Sequence, residues 1–353
     1  MLGKIVLEEA YERPNMQEKS KHEASLYIAP NDRPRYMRQI NDINQERLKL
    51  ADAHGIGYTI ISLTVPGIQG IADKAEAERV ATETNNWAAE QIKNHRDRLG
   101  AFACLSMHDP AQAASELRRC VQELGFHGAL LCSFQHAGPD GETYLFYDRP
   151  EYDVFWEALT ELDVPLYIHP AAPTGVILEK LYAQRPALIG PPLSFANDVS
   201  LHTLGIISNG VFDRFPKLKI IIGHLGEHIP FDFWRIDHWF RDVKKPIADE
   251  EGRVMAQKSL YHYFKHNIWL TTSGHFSTPT LKYVVNEIGA DRVLFSVDYP
   301  YETTESGCNW WDHDKDAIVE AVGGVDNYYA IGRENAKKLL RLDKFHDSDA
   351  WTS

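Results

Sequence analysis

Short apolar segments alternate with amphipathic helical segments along most of the chain. Eight apolar segments are rich in β-branched and aromatic residues, which is typical of strands buried on both faces of a parallel sheet. The predicted strands are Lys4–Glu8, Tyr58–Thr64, Gly100–Ser106, Gly128–Ser133, Val164–His169, Leu218–His224, Ile268–Ser273 and Arg292–Asp298. The last of these carries its only acid, Asp298, at its final position.

Helical periodicity fills most of the spaces between the strands. The predicted helices are Arg35–His54, Ala72–His95, Pro110–Leu124, Pro150–Leu162, Asn197–Phe212, Ile229–Asp242, Val254–Phe264, Thr278–Ile288 and Arg333–Leu342. Asp109 is the predicted N-cap of the third of these helices. Glu9–Asp32 and Pro170–Pro192 show no period and are predicted to be irregular.

This alternation predicts an α/β fold, a (β/α)₈ TIM barrel with long loops after strands one, five, six and eight. A doubly wound open sheet is the alternative, and the lack of a G-x-G-x-x-G motif after the first strand weakens it. The sequence contains no repeats, low-complexity segments or linkers. A single domain is therefore expected over residues 1–353.

Composition narrows the class of protein further. The formal net charge of -13 disfavours nucleic acid and anionic membranes as partners, because a basic surface would be needed to neutralise them. The four cysteines form no C-x-x-C pair, which fits reduced thiols in a cytosol. The N-terminus reaches two glutamates before a signal-peptide apolar region could form. We therefore expect a cytoplasmic protein.

Four ionisable residues stand at the ends of predicted strands: Glu8, His169, His224 and Asp298. In a barrel, the C-terminal strand ends form one rim, and active sites lie on that rim. Each residue alone has an ordinary explanation, such as a solvated Glu8 or an Asp298 that caps the next loop. Four of them on one rim predict a functional site.

Two carboxylates and an imidazole are a ligand set for a divalent cation such as zinc, manganese or magnesium. We predict Glu8, His169 and Asp298 as the ligands. His224 begins the segment G-H-L-G-E-H, in which Glu227 could hydrogen-bond its ring and fix the tautomer. The alternative is a helix first turn in which Glu227 only favours the helix dipole.

With these residues in place, the motifs of the chain resemble those of a known family. They are K-I-V-L-E-E-A at Lys4–Ala10, L-S-M-H-D-P at Leu105–Pro110, L-Y-I-H-P at Leu166–Pro170, G-P-P-L-S-F-A at Gly190–Ala196, G-H-L-G-E-H-I-P at Gly223–Pro230, W-R-I-D-H at Trp234–His238, T-T-S-G-H-F at Thr271–Phe276 and L-F-S-V-D-Y-P-Y-E at Leu294–Glu302. Over nearly its whole length the chain resembles the amidohydrolase superfamily. Within it, the chain is similar to the metal-dependent non-oxidative decarboxylases of salicylate, 2,3-dihydroxybenzoate and 2,6-dihydroxybenzoate (gamma-resorcylate).

The resemblance implies that Glu8, His169 and Asp298 hold one divalent metal ion, with no organic cofactor. It also implies that Asp298, His224 and Glu227 are catalytic. We expect Asp298 to protonate the ring carbon that bears the carboxylate, after which carbon dioxide leaves. Because no step is redox, the reaction should be reversible with carbon dioxide or bicarbonate.

The sequence departs from the family pattern in two places. Most of the superfamily has H-x-H on strand one, whereas this chain has Glu8, Glu9 and Ala10. The loss of an imidazole leaves an oxygen-rich site in which magnesium or manganese is as plausible as zinc. Several relatives carry V-N on strand four, whereas this chain has Leu131 and Cys132, which predicts an altered preference for ring hydroxyls.

The expected substrate is a small aromatic acid of the salicylate or 2,3-dihydroxybenzoate type. The predicted substrate-binding residues are Arg235, Tyr301, Phe195, Thr64, Tyr27, Cys132 and Phe276. Since relatives tend to be oligomers, a homo-oligomer (dimer or tetramer) is expected. The alternative function is a mononuclear metal-dependent amidohydrolase or lactonase, against which Ala10 argues. A barrel without enzymatic activity is a more distant class.

Overall fold

Parallel strands form the centre of the molecule. The computed structural model describes residues 1–342, apart from the side chains at positions 17, 19, 20 and 23, and positions 343–353 of the predicted domain lie outside the described residues. The strands in that part of the chain are β1 (Lys4–Tyr11), β2 (Ile56–Leu63), β3 (Leu99–Ala101), β4 (Ala129–Cys132), β5 (Gln135–Ala137), β6 (Thr143–Leu145), β7 (Leu166–His169), β8 (Ile220–Ile222), β9 (Ile268–Thr271) and β10 (Val293–Leu294). β5 and β6 form an antiparallel hairpin apart from the other eight strands.

The eight remaining strands follow one another in chain order around the barrel. Parallel ladders join β1 to β2 and β2 to β3, and a second series joins β4, β7, β8, β9 and β10. A parallel bridge between Ala103 and Ala129 connects β3 to β4. At the junction of β10 and β1, the hydroxyl of Ser296 accepts the backbone N–H groups of Leu7 (3.0 Å) and Glu8 (2.9 Å). The predicted (β/α)₈ barrel is confirmed.

The strands are buried on both faces, as their apolar sequences predict. In β1, Ile5 and Leu7 belong to the core inside the barrel, whereas Val6 between them belongs to the core shared with the helices. Side chains that alternate along a strand point to opposite faces of the sheet. Since both faces of the sheet contact apolar side chains, these strands are continuously apolar and do not alternate between polar and apolar residues.

Helices cover the outside of the barrel. The longer ones are Gln17–Tyr27, Arg33–Gln39, Glu46–Ala53, Lys74–Ile92, Pro110–Gln122, Asp153–Leu162, Ser194–Ser208, Phe233–Trp239, Leu260–His266, Thr278–Ile288, Thr304–His313 and Lys315–Val322. Shorter helices are Gly175–Ile177, Val211–Arg214, Lys245–Glu250, Val325–Tyr329 and Asn335–Leu339, with 3₁₀ or π turns beside several of them. None of the helices that the structure describes has the length and apolar character needed to cross a lipid bilayer.

The predicted helix cap at Asp109 is confirmed. Its carboxylate accepts the backbone N–H groups of Ala111 (3.0 Å) and Gln112 (3.3 Å) at the start of the helix Pro110–Gln122. The first turn of a helix leaves such donors without an intrahelical partner, so an acidic side chain at this position stabilises it.

The predicted end of the first strand is wrong. Glu8 does not close β1, which continues to Tyr11 with an irregular register between Val6 and Glu9. Glu9 is buried there, and its Oε1 accepts the hydroxyl of Ser296 (3.1 Å) and the backbone N–H of Val297 (3.3 Å). A polar residue that looked like the start of a loop is thus an internal strand residue.

Two further boundaries differ from the sequence prediction. The segment predicted as irregular after β1 contains the helix Gln17–Tyr27, whose mostly polar residues give no apolar period. The helix predicted over Arg35–His54 is divided into Arg33–Gln39 and Glu46–Ala53. In addition, the last ladder covers only Val293–Leu294, so Asp298 lies beyond the strand rather than at its final position.

Candidate active site

The three predicted metal ligands meet at the carboxyl ends of the barrel strands. Glu8 extends from β1, His169 is the last residue of β7, and Asp298 lies in the loop after β10. One ligand atom of each lies within 4.8 Å of the other two, and Nε2 of His169 is 3.2 Å from Oε1 of Glu8. The fold therefore brings together side chains that are more than a hundred residues apart in sequence.

The donor atoms of this cluster fit a divalent cation. Oε2 of Glu8 accepts the hydroxyls of Tyr167 and Thr271, but its Oε1 is buried and has no hydrogen-bond partner in the described part of the chain. Nδ1 of His169 donates to the carbonyl of Pro170 at 2.7 Å, so Nε2, on the side of Glu8, is left to bind a ligand. A buried acceptor without a donor and an oriented imidazole are what a metal ion would complete.

The electrostatics of the cluster also call for positive charge. Burial raises the pKa of the Asp298 carboxyl, and the charge of Glu8 adds to this effect while His224 opposes it. Burial alone would raise the pKa of Glu8 as well, but the facing imidazoles of His224 and His169 hold it well below its usual range. Two carboxylates with so little water are stable only beside protons or a cation.

His224 and Glu227 form the predicted pair. Nδ1 of His224 lies 2.6 Å from Oε1 of Glu227, while Nε2 lies 3.7 Å from Oδ2 of Asp298 and 3.6 Å from Oε1 of Glu8. The alternative helix first turn is wrong, because His224, Leu225 and Glu227 have φ values of 53°, 56° and 56°. This left-handed backbone turns Glu227 back onto the ring of His224.

Gly223, just before this turn, is required by the close approach of Glu8. A Cβ atom at Gly223 would lie 2.9 Å from Oε2 of Glu8 and 3.1 Å from the hydroxyl of Tyr167. Both atoms belong to the buried side chains that carry the site, so neither can move away freely. Glycine therefore allows β8 to end directly against the predicted metal ligands.

Two adjoining cavities lie at the rim, and the first opens onto the cluster through His169 and Asp298. One, of about 70 Å³, is lined by Tyr27, Val65, His169, Pro191, Phe195, His224, Asp298, Tyr301 and Glu302. The other, of about 150 Å³, shares Pro191, Phe195 and His224 with it and also includes Glu227. Aromatic and apolar walls with a few polar groups at one end are typical of sites for a planar aromatic ligand.

Three of the predicted substrate-binding residues form the aromatic wall of the smaller cavity. The rings of Tyr27 and Phe195 have centroids 5.2 Å apart, and those of Tyr27 and Tyr301 are 6.2 Å apart. The hydroxyl of Tyr301 lies 2.7 Å from Oγ1 of Thr64, a fourth predicted residue, and accepts the hydroxyl of Tyr36 at 3.1 Å. Thr64 is thus connected to the wall through Tyr301.

Three other predicted substrate-binding residues lie outside both cavities. Arg235 is exposed on the helix Phe233–Trp239. Phe276 packs against Trp310, with ring centroids 5.7 Å apart. Cys132 ends β4, where its carbonyl accepts the hydroxyl of Tyr147 at 2.9 Å and its thiol lies beside His169. Within this chain, these three side chains do not line the cavities beside the cluster.

A larger cavity lies away from this cluster. It has a volume of about 460 Å³ and lies over the loops after β2, β4 and β7, with Gln69, Ser133 and Asp198 among its lining residues. None of the predicted metal ligands lines it. Its size alone does not make it the site of the chemistry, because the oriented acid and imidazole groups lie elsewhere.

Sequence reasoning missed two residues that touch the site. Tyr167 donates to Glu8, and its position two residues before His169 on one strand was a usable signal, since such residues face the same side of a sheet. Glu302 lines the aromatic cavity four residues after Asp298. Glu302 is the last residue of the motif L-F-S-V-D-Y-P-Y-E, so its place in that motif was the available signal.

The barrel and the cluster at its rim define the chain as an amidohydrolase-type enzyme. Residues 33–342 match the family model described as Amidohydrolase. Gamma-resorcylate decarboxylase from Rhizobium sp. (strain MTP-10005) is 40% identical over 347 residues, which cover 97% of this chain and 99% of that protein. The chain therefore belongs to the amidohydrolase family, as its motifs predicted.

Solved structures agree with this assignment. A crystal structure of 2,6-dihydroxybenzoate decarboxylase complexed with 2,6-dihydroxybenzoate has a TM-score of 0.87 and 39% sequence identity, covering 97% of this chain and 100% of that chain. Dihydroxybenzoic acid decarboxylase from Polaromonas sp. JS666, with bound manganese and the inhibitor 2-nitroresorcinol, has a TM-score of 0.87 and 37% identity, covering 97% and 98% of the two chains. The relatives are aromatic acid decarboxylases, and this chain is a carboxy-lyase of the same group.

Proposed function

We propose that this enzyme is a metal-dependent, non-oxidative decarboxylase of ortho-hydroxybenzoic acids. The observation that carries the proposal is the position of Glu8, His169 and Asp298 at the end of a cavity with aromatic walls. The substrates to be tested are salicylate and 2,3-dihydroxybenzoate, which the motifs suggest. The relative complexed with 2,6-dihydroxybenzoate adds that acid to the set.

Glu8, His169 and Asp298 would hold one divalent cation. Two carboxylates and a single imidazole make an oxygen-rich set that accepts manganese or magnesium as well as zinc, and a relative binds manganese. When bound, the cation supplies a positive centre for the carboxylate and the ortho oxygen of the substrate. No organic cofactor is needed, because the proposed reaction transfers a proton and no electrons.

Asp298 is the proposed proton donor. Direct loss of carbon dioxide would leave an aryl carbanion, so the easier route first places a proton on the ring carbon that bears the carboxylate. Burial raises the pKa of Asp298 to about 6, so a minor fraction of this carboxyl carries a proton at neutral pH, and that fraction grows as the pH falls. The bond between ring and carboxylate then breaks, carbon dioxide leaves, and its bonding electrons restore the aromatic ring.

His224 and Glu227 would act on the phenol hydroxyl. Because Nδ1 of His224 donates to Glu227, its Nε2 is the nitrogen left to accept a proton, and it is on the side of Asp298 and Glu8. The carboxylate of Glu227 stabilises the imidazolium that forms when the phenol ionises. Tyr27, Phe195 and Tyr301 would hold the ring between these groups.

A metal analysis combined with a decarboxylation panel tests the proposal. The purified enzyme would be loaded separately with manganese, magnesium and zinc, and carbon dioxide release measured on salicylate, 2,3-dihydroxybenzoate and 2,6-dihydroxybenzoate. We expect release from at least one acid with at least one metal, and carboxylation of the matching phenol at high bicarbonate. Cleavage of lactones or amides without any release of carbon dioxide would instead support the hydrolase alternative.

We also propose that two copies of the chain associate through an exposed aromatic surface. Phe231, Trp234 and Trp239 are 82%, 71% and 44% exposed, and they follow one another on the helical segment around Phe233–Trp239. Aromatic side chains bury about 150–250 Å² each, so these three would supply on the order of half of the roughly 800 Å² per subunit of a standard interface.

The mass in solution tests this association. Light scattering during size exclusion should give a multiple of 40.2 kDa, and a Trp234→Glu variant should have a mass closer to that of the monomer. A monomeric parent protein would contradict this proposal.

A further inference from the structure

Glu302 lines the aromatic cavity but has no part in the proposed proton transfers. It follows Asp298 by four residues, and its backbone N–H donates to the Asp298 carbonyl at 2.9 Å. This hydrogen bond closes a tight turn, so the two acidic residues are held at a fixed spacing. The half-buried side chain of Glu302 faces the same cavity as the rings of Tyr27 and Tyr301.

Among the side chains that the structure describes, none forms a hydrogen bond or an ion pair with the carboxylate of Glu302. Arg35, whose positive charge acts on Glu302, uses its guanidinium for other partners. It donates to both carboxylate oxygens of Asp32 (2.9 and 2.6 Å), to Gln39 (2.6 Å) and to the carbonyl of Pro300 (2.8 Å). An acidic side chain that lines a cavity without a protein donor keeps its acceptor capacity for solvent or for a ligand.

One polar group on the aromatic wall, the hydroxyl of Tyr301, is already engaged. The hydroxyl of Tyr301 is within hydrogen-bond distance of Thr64 and Tyr36 at 2.7 and 3.1 Å. A substrate hydroxyl at this wall would have to compete with those bonds. Glu302 offers two oxygens without such competition.

We propose that Glu302 is a specificity-determining residue, which accepts a hydrogen bond from a second ring hydroxyl of the substrate. This inference rests on the proposed function and makes it more specific: the substrate is a dihydroxybenzoate rather than salicylate.

Steady-state kinetics of three variants test the proposal. Glu302→Gln keeps an acceptor oxygen without the charge, Glu302→Leu removes the acceptor, and Glu305→Gln changes an exposed acid on the following helix as a control. A hydrogen bond to a charged acceptor corresponds to about 10- to 100-fold in kcat/KM. We expect Glu302→Leu to lose that factor on its best dihydroxybenzoate, mainly through KM, and to change less than about threefold on salicylate. Glu302→Gln should fall between the parent enzyme and Glu302→Leu.

Equal losses of kcat/KM on salicylate and on the dihydroxybenzoates would overturn the proposal, because they would indicate a general structural effect. The melting temperatures of the variants identify misfolding separately.

Binding of catechol, resorcinol and phenol to the metal-loaded parent enzyme, measured by calorimetry, gives a test that needs no turnover. If no acid is decarboxylated, the proposed function fails, and tighter binding of a dihydroxy phenol that is lost in Glu302→Leu still supports the role of Glu302. If phenol binds as tightly as both dihydroxy compounds, the role of Glu302 is excluded.

Discussion

Nδ1 of His224 donates to Oε1 of Glu227 at 2.6 Å across a turn whose two end residues both have left-handed backbone conformations. Such a conformation is uncommon for residues other than glycine and is maintained here by the surrounding fold. Because Nδ1 of His224 donates to the carboxylate of Glu227, Nε2 is the nitrogen that can act as an acceptor, and it lies on the side of Asp298. The pairing therefore determines which nitrogen can exchange a proton with a ligand.

Glu227→Gln should lower kcat for decarboxylation by about 10- to 100-fold, the range found when the partner of a functional histidine is changed. The amide preserves the shape of Glu227 but removes the charge that stabilises a protonated His224. The chain contains a matched control in His238 and Asp242, an exposed pair 2.8 Å apart, for which Asp242→Asn should leave kcat unchanged. Equal kcat values for Glu227→Gln and the parent enzyme would remove this pair from the reaction.

Asp298→Asn should reduce kcat by at least about 10²-fold, because general acid catalysis contributes roughly 10²- to 10⁴-fold and an amide cannot donate the proton. The φ of Asp298 is 78°, a conformation that asparagine also tolerates, so the backbone should be preserved. The metal content of the variant must be measured beside its turnover, since Asp298 is also a proposed ligand. Substantial turnover by a metal-loaded Asp298→Asn enzyme would exclude Asp298 as the donor.

Removal of the divalent ion should destabilise the enzyme as well as inactivate it. A ligand that binds only the folded protein stabilises it by about 2.7 kcal/mol at a free concentration of 100 times its Kd. Differential scanning fluorimetry after chelation should show a lower Tm, and each metal should raise it again, by more for a metal that binds more tightly. Glu8→Gln, which weakens the cluster, should show a smaller response. An unchanged Tm in the parent protein would argue against a metal at this position.

A buried histidine far from the reacting groups should make stability depend on pH. Burial lowers the pKa of His202 to about 3, and its ring packs against Phe146 and Tyr147. Since the unfolded chain takes up this proton near pH 6.5 and the folded protein does not, stability is retained above that pH and lost as the pH falls towards 3. The limiting slope is about 1.4 kcal/mol per pH unit for one proton.

Denaturant unfolding of the parent protein and of His202→Gln at pH 7, 6 and 5 measures this effect. Nε2 of His202 accepts the backbone N–H of Tyr147 at 3.3 Å, and the glutamine amide oxygen can take over that role. The variant should lose less stability than the parent protein between pH 7 and pH 5. Identical slopes for the two proteins would show that His202 is not responsible.

The cluster at the rim could be predicted because its members interrupt apolar segments. His169 ends a strand that is otherwise apolar, and Asp298 closely follows another, so each was visible as an ionisable group at a known edge of the sheet. The barrel followed from the same alternation of apolar strands and helices. Both inferences depend on residues that are close together in the sequence.

The environment of Glu9 and Arg235 could not be predicted in this way. Glu9 is an internal strand residue because it meets Ser296, which is 287 residues away in the chain. Arg235 was expected near the substrate; within this chain its helix buries Phe233 and leaves Arg235 exposed, and its role in binding stays a prediction. The sequence of a helix shows the spacing of its apolar residues but not which of its faces other segments will cover. Glu302 was missed because the residues around it come from distant segments of the chain.

The contact between Ser296 and β1 has a consequence for the whole fold. There a single hydroxyl receives two backbone N–H groups in the place where a regular ladder would otherwise close the barrel. Glu8 and Asp298 stand on opposite sides of this seam, so an ion bound to both would tie the first strand of the chain to the last. Loading the active site with an ion should therefore also strengthen the closure of the barrel.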